Sequence, residues 1–358
     1  MKLRYMDRDT TTAIKGIALI FMFIHHFFTF PEFLIDEISY PGMQAFANDF
    51  VEPMKLCVPI FAFLTGYFYA FHQNRTLRYS IRKITDLFVA YWFVYWVMLL
   101  FALAVGCYKF TLYSFVYEMA ALKLPLMVFC WYVLFYGYSM LLLPLLTHES
   151  HNALEDILYV LILPAAVASV LGGMYLEGFL NTVVMNIRDW FPCIASGYLC
   201  ARYNVFQNFL DRGSARLRST GGKLLLWLSM AVAAAAGRYW WQYWQLGTLE
   251  IRGGLFPIKL AADLLFAPLF VYGTANILQL FRKTPVMKIL GQIGKYSLHM
   301  WFFHCVFFNV CRKVTQPVLY WPHNPVLVVI WGLILCYIPS VLIDKLIVPV
   351  NKLKNRFL

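Results

Sequence analysis

Charge is what this chain has least of. Only 13% of its 358 residues are Asp, Glu, Lys or Arg, about half the share an ordinary soluble domain carries. That scarcity excludes a water-soluble domain of this length and leaves a polytopic helical membrane protein. Paired cysteines are missing as well. The eight Cys, at 57, 107, 130, 193, 200, 305, 311 and 336, form no CxxC pair and show no secreted disulfide spacing. Most sit in apolar stretches, as small core residues do. No HExxH or Cys/His cluster marks a metal site, and the adjacent His25 and His26 would splay apart on a helix. Walker motifs, G-x-S-x-G elbows and glycine-rich dinucleotide turns are absent too. No internal repeat gives the signature of inverted-repeat transporters. The first 30 residues lack a small-residue cleavage site and carry a long apolar run, unlike a cleaved signal peptide.

Apolar and aromatic residues fill the space that charge leaves. Hydrophobic residues make up 61% of the chain, with 32 Phe, 23 Tyr and 11 Trp. They fall into ten stretches of about 20 residues, the length that crosses a bilayer as a helix. The expected spans are 12–30, 53–72, 85–106, 126–146, 155–174, 182–201, 223–244, 256–280, 294–312 and 325–348. The expected fold class is an all-α integral membrane protein, a bundle of about ten transmembrane helices forming one domain over residues 1–358. No connection between spans is long enough for a further soluble domain.

Basic residues orient the bundle. With both termini in the cytoplasm, the inner segments hold Lys2, Arg4 and Arg8, then Arg75, Arg78, Arg82 and Lys83. Further along they hold Arg202, Arg212, Arg216, Arg218, Lys223, Arg282, Lys283, Lys288, Lys295, Lys352, Lys354 and Arg356. The outer segments hold only Lys109, Lys123, Arg252, Arg312 and Lys313. The positive-inside rule favours this orientation, which suits a cell inner membrane. Residues 31–52, with Glu32, Asp36, Glu37, Asp49 and Glu52 and neither Lys nor Arg, fit an outer loop. The acidic stretch from His148-Glu149 to Asp156 is the one discordant inner segment. The net charge of +12 follows from topology and from contact with membrane lipid, and is no sign of nucleic-acid binding.

Ionisable side chains inside a span are costly and are kept mainly where they face a cavity, a partner or a reaction. The first span carries Lys15, His25 and His26. Eleven helical steps turn about 1100° and rise about 16 Å, so Lys15 and His26 share a face, with His25 about 80° from Lys15. One face thus offers a cation near the inner surface and an imidazole near mid-membrane. Burial disfavours the charged imidazole and leaves it available as a base. A snorkelling Lys and a structural His give the alternative. In the ninth span Ser297 and His304 are seven residues apart and share a face, with His299 turned away. Trp131 either lines a tunnel or anchors at an interface. Lys259 and Asp263, at i and i+4, are expected to neutralise each other. Arg188-Asp189 in the sixth span is expected to face a cavity, and Arg238 to lie near the outer interface beside Trp240 and Trp241.

These motifs resemble the acyltransferase-3 family of integral membrane acyltransferases. Lys15-Gly16-Ile17-Ala18 followed by His26 resembles its opening motif, with Lys15 where Arg is usual and the His doubled. Val58 to Tyr67 (VPIFAFLTGY) is similar to its second-span V-P-x-F-F-x-x-S-G-Y, and Arg78 to Lys83 (RYSIRK) to the basic turn before the third span. Trp131-Tyr132-Val133-Leu134 resembles a fourth-span W-F-L. Gly294-Lys295-Tyr296-Ser297-Leu298 with His304 resembles a late G-x-x-S-L…H. The resemblance implies acyl transfer, usually of acetyl from cytoplasmic acetyl-CoA to a hydroxyl of an envelope glycan, a lipid-linked sugar or a related acceptor. In that chemistry His26 is the candidate base, with a transient acetyl carrier as the alternative role, and His25 and His304 are the other catalytic candidates. Lys15, Arg78, Arg82 and Lys83 are the candidates for the phosphates of coenzyme A. Trp131, Ser297 and Tyr296 are candidates for the acceptor or acyl tunnel. No metal is expected. A secondary transporter or a lipid or sugar flippase is the competing reading, since it too would bury His and Lys–Asp pairs.

Overall fold

The computed structural model describes residues 6–30, 33–35, 38, 40, 42–72, 75–147, 152–172, 174, 178–215, 217, 219–248 and 258–354. Side chains are described within these except at 48, 49, 241–248, 258–262, 351, 353 and 354. Lys2, Arg4, Glu32, Asp36, Glu37, His148, Glu149, Arg216, Arg218, Arg252 and Arg356 lie outside the described residues, as do the side chains of Asp49, Trp241, Lys259 and Lys354.

In chain order the helices begin with α1 (Arg8–Thr29), α2 (Met43–Met54), α3 (Cys57–Ala70), α4 (Leu77–Ala104), α5 (Leu112–Met119) and α6 (Trp131–Leu146). Then α7 (Ala153–Asp156) runs through a π-turn into α8 (Leu163–Gly172), and α9 (Gly178–Arg202) and α10 (Arg212–Ser214) follow. The chain continues with α11 (Thr220–Thr248), α12 (Ile258–Leu280), α13 (Pro285–Lys295), α14 (Ser297–Phe303), α15 (Arg312–Tyr320) and α16 (Pro325–Lys354). Among the described residues no strand occurs. The protein is therefore an all-α, multi-pass membrane protein.

Among the described residues, seven helical stretches are long and apolar enough to cross a membrane, and they fall on seven of the ten expected spans. The other three depart for identifiable reasons. The fourth is a helix of 16 residues only, starting at Trp131. The sixth, α9, has 25 residues but carries Arg188 and Asp189, which pair with each other at 2.7 Å and remain partly exposed. The ninth is not one helix. Tyr296, at φ −100° and ψ 7°, separates α13 from α14, and at His304 the chain tightens into a 3₁₀ turn over His304–Phe307. The basic residues Arg78, Arg82 and Lys83 do not form a turn before the third span. They lie in the first turns of α4, which starts earlier because the Thr76 side chain accepts the Tyr79 N–H and caps it.

The chain divides into two compact units. The first comprises residues 1–21, 52–75 and 142–294, and the second residues 22–51, 76–141 and 295–358. In the first unit, α3 packs along α9 by backbone approach. A Cβ on Gly66 would overlap the Ile194 carbonyl, and one on Gly197 the Phe63 carbonyl. Close approach through small residues is how helices associate where lipid removes the hydrophobic drive between them. Gly16 and Gly294 do the same between α1 and α13, against the carbonyls of Leu290 and Thr12. Three glycines of the sequence motifs are thus packing positions. Asp263 is ion-paired with Arg238 of α11, both buried, while the side chain of the expected partner Lys259 lies outside the described residues. Trp240 is exposed.

The second unit holds the buried histidines. There α14 packs against α4 and α16. Gln316 of α15, fully buried, donates from Nε2 to the Phe33 and Phe307 carbonyls (2.7 and 2.8 Å) and accepts the Ile35 N–H at 2.9 Å. Asn309 donates to the Leu126 carbonyl at 2.9 Å. Tyr320 donates to the Phe27 carbonyl at 2.6 Å. These three side chains tie the end of α1, the segment before α6 and the turn after α14 into one frame.

Candidate functional site

His26 lies in the last turn of α1, where the apolar helix places it inward, 8% exposed. His304 opens the 3₁₀ turn that ends α14 and is fully buried. Although 278 residues apart, the two imidazoles meet, with His26 Nδ1 2.7 Å from His304 Nε2. On its other edge His304 Nδ1 touches the Trp301 carbonyl.

For two neutral imidazoles this pattern allows one assignment. A carbonyl oxygen only accepts, so His304 Nδ1 carries a proton and its Nε2 a lone pair. His26 Nδ1 must then donate to that lone pair, which leaves His26 Nε2 unprotonated. A buried carbonyl thus fixes, through one ring, which nitrogen of the next ring can take a proton.

Aromatic rings enclose the pair. Phe129 lies on His26 with ring centroids 4.2 Å apart and runs nearly parallel to His304 at 5.6 Å and 15°. Phe23 stacks on His304 at 5.6 Å, and Phe30 contacts Phe129 at 5.1 Å. Two thiols sit beside them: Cys305 Sγ is 3.9 Å from His304 Nδ1 and 3.7 Å from Cys130 Sγ, both cysteines being free. His25 is turned to a different task. It is buried, and its Nδ1 lies 3.0 Å from Thr29 Oγ1 one helical turn on. No group of three or more His, Cys, Asp or Glu among the described residues is arranged to hold a metal ion.

The other sequence candidates are dispersed. Lys15 is half-buried in the part of α1 that belongs to the first unit. Arg78 is exposed, Arg82 and Lys83 half-buried, all on α4 of the second unit. The Arg82 and Lys83 cations sit 6.0 and 5.9 Å from the Tyr79 ring, and Lys83 also meets Asp86 at 3.6 Å. Trp131 contacts Tyr132 and Phe135, and Tyr132 in turn meets the Trp301 ring at 5.9 Å. Tyr296 and Ser297 are buried about two helical turns before His304, where Tyr296 packs on Tyr337 and accepts from Lys295 at 2.9 Å. They stand apart from the imidazole pair. Phe129, the Trp301 carbonyl and the Cys130–Cys305 pair belong to the site and carry no signal in the sequence. A backbone carbonyl has no residue type, and one Phe among 32 does not stand out.

Fold and site together define a multi-pass membrane protein with a pair of hydrogen-bonded histidines buried in an aromatic cage. The model of an acyltransferase family, described as an acyltransferase domain, matches residues 9–345, nearly the whole chain. The protein belongs to this acyltransferase-3 family and is a membrane acyltransferase. Membership does not favour the transporter or flippase reading. Comparison with curated proteins and with solved structures found no match.

Proposed function

We propose that this acyltransferase transfers acetyl from acetyl-CoA to a hydroxyl of an envelope glycan, a lipid-linked sugar or a related acceptor, with His26 as general base. The observation that carries the reading is the contact of His26 Nδ1 with His304 Nε2, anchored on the Trp301 carbonyl. It leaves His26 Nε2 as the one lone pair of the dyad. A hydroxyl bonded to that nitrogen loses its proton there as its oxygen attacks the thioester carbonyl. The carbon–sulfur bond then breaks, and the departing coenzyme A sulfur takes the proton back from His26. The base returns neutral, and no metal or redox partner is needed.

Arg78, Arg82 and Lys83 place three cations within two turns at the start of α4, the donor chemistry that a diphosphate and a 3′-phosphate require. Lys15, on the opening motif, is a separate candidate for the same chemistry. In our reading these residues face the cytoplasm with both termini, in the cell inner membrane, and the acceptor enters from the other side.

The test supplies radiolabelled acetyl-CoA to membranes containing the full chain. Hydroxylamine-labile label in glycan or lipid-linked sugar, lost in His26→Ala, is the expected result. Folded protein that releases no more coenzyme A than His26→Ala overturns the reading. In detergent, acetyl-CoA binding should weaken at least about tenfold in Arg78→Ala/Arg82→Ala, as expected when two charge-assisted hydrogen bonds are lost.

A further inference from the structure

The rings around His26 also limit what can be transferred. In general-base catalysis the reacting oxygen lies about 2.6–3.2 Å from the base. The carbon it attacks lies about 3–3.5 Å further on. The carbonyl carbon of any acyl group transferred at His26 therefore comes within about 7 Å of the imidazole, and the rest of the acyl chain starts there.

Four rings stand within that shell. The Phe129 ring is 4.2 Å from His26, the His304 ring 4.9 Å, the His25 ring 5.6 Å and the Phe30 ring 5.9 Å, centroid to centroid. His304 and His25 are held by their hydrogen bonds. Phe129 is the closest apolar wall, and it is fixed rather than mobile. It is 8% exposed and packs against Phe30, Phe33 and Phe308 at 5.1, 5.5 and 5.3 Å. Its segment is pinned by the bond from Asn309 to the Leu126 carbonyl. Phe30, the second ring, lies at the end of α1 and touches both His26 and Phe129.

We infer that Phe129, backed by Phe30, sets the acyl-chain length by filling the volume beside His26 that a chain longer than acetyl would need. The inference rests on the proposed role of His26. A packed aromatic wall discriminates by steric exclusion, and a single methylene in such a site is worth about 10–200-fold. Removing the ring opens space bounded by Phe30, Phe33 and Phe308, which are apolar and suit an alkyl chain.

The experiment uses inverted membrane vesicles from cells expressing the full chain, so that the native acceptor is present. Acetyl-, propanoyl-, butanoyl- and hexanoyl-CoA are supplied in turn. Coenzyme A thiol release is read above the background of His26→Ala. Wild-type protein is expected to prefer acetyl-CoA over butanoyl-CoA by at least about tenfold. Phe129→Ala is expected to erase most of that preference while still transferring acetyl. Phe129→Leu and Phe30→Leu, which keep an apolar filler, should shift the limit by a shorter step and cover the case in which the alanine variant does not fold. Variants that transfer acetyl with an unchanged length profile overturn the ruler alone. Wild-type protein that takes hexanoyl as readily as acetyl does so too. Folded wild-type protein that releases thiol from none of the four donors overturns the general-base reading, and the ruler with it.

Discussion

At the scale of single residues, the two adjacent histidines of α1 are not equivalent. His26 Nδ1 meets His304, whereas His25 Nδ1 meets Thr29 of its own helix. His26→Ala is expected to lower transfer by about 10²–10⁴, the range general-base removal costs, while His25→Ala retains most activity; steady-state rates on samples of matched folding check this. Equal losses would show that helix integrity, and not the base, is at stake. His304 acts through His26. His304→Phe keeps the ring volume but removes the acceptor for His26 Nδ1, so kcat should fall with acetyl-CoA KM nearly unchanged. His304→Gln, whose carbonyl oxygen can accept that proton, should restore part of kcat. A KM change in place of a kcat change would assign His304 to donor binding. Lys15 and His26 sharing a helical face was legible from the spacing alone. The partner of His26 was not, because no local periodicity links residues 278 positions apart.

Among the elements, the end of α1 and the turn after α14 are held by side chains that look ordinary in the sequence. Gln316 is fully buried and engages three backbone groups. Gln316→Leu leaves the Phe33 and Phe307 carbonyls and the Ile35 N–H without this partner, at about 1–3 kcal/mol for each group that stays unsatisfied. A drop in thermal stability in detergent together with lost transfer is expected. A stable variant with full activity would remove Gln316 from the frame. The segment between α4 and α6 offers a pH test. Burial raises the Glu118 carboxyl above its ordinary value, against the opposing hydrogen bond donated by Tyr108, while Tyr91 donates to the Glu118 carbonyl at 2.7 Å. A group raised in the folded state stabilises most below its unfolded value, 4.5 for this carboxyl. That contribution is lost as pH rises through the raised folded value. Melting temperature should therefore decline with pH over that window, and Glu118→Gln should flatten the decline. A slope unchanged in Glu118→Gln would place its origin elsewhere.

For the whole molecule, the distribution of Lys and Arg sets an expectation for topology. A fluorescent reporter fused after Leu358 should fluoresce if the C-terminus is cytoplasmic, whereas an alkaline phosphatase fusion there should be inactive. The reverse pattern would invert the bundle and place Arg78, Arg82 and Lys83 away from a cytoplasmic donor. Composition and hydropathy mark all seven long apolar stretches, because the bilayer constrains length and polarity locally, residue by residue. The same signals overstate the ninth span: its residues are apolar enough to continue, and the break at Tyr296 together with the tightening at His304 is a backbone event.

The sequence by itself determined the membrane class, the seven long apolar stretches, the family and the candidacy of His26, since each rests on local patterning or short motifs. Tertiary structure alone decided which imidazole His26 meets, that a carbonyl of Trp301 fixes the protonated nitrogens, and that Phe129 stands against the base. Those facts depend on contacts between segments far apart in the chain, where side-chain direction and backbone carbonyls matter and residue identity alone carries no record of them.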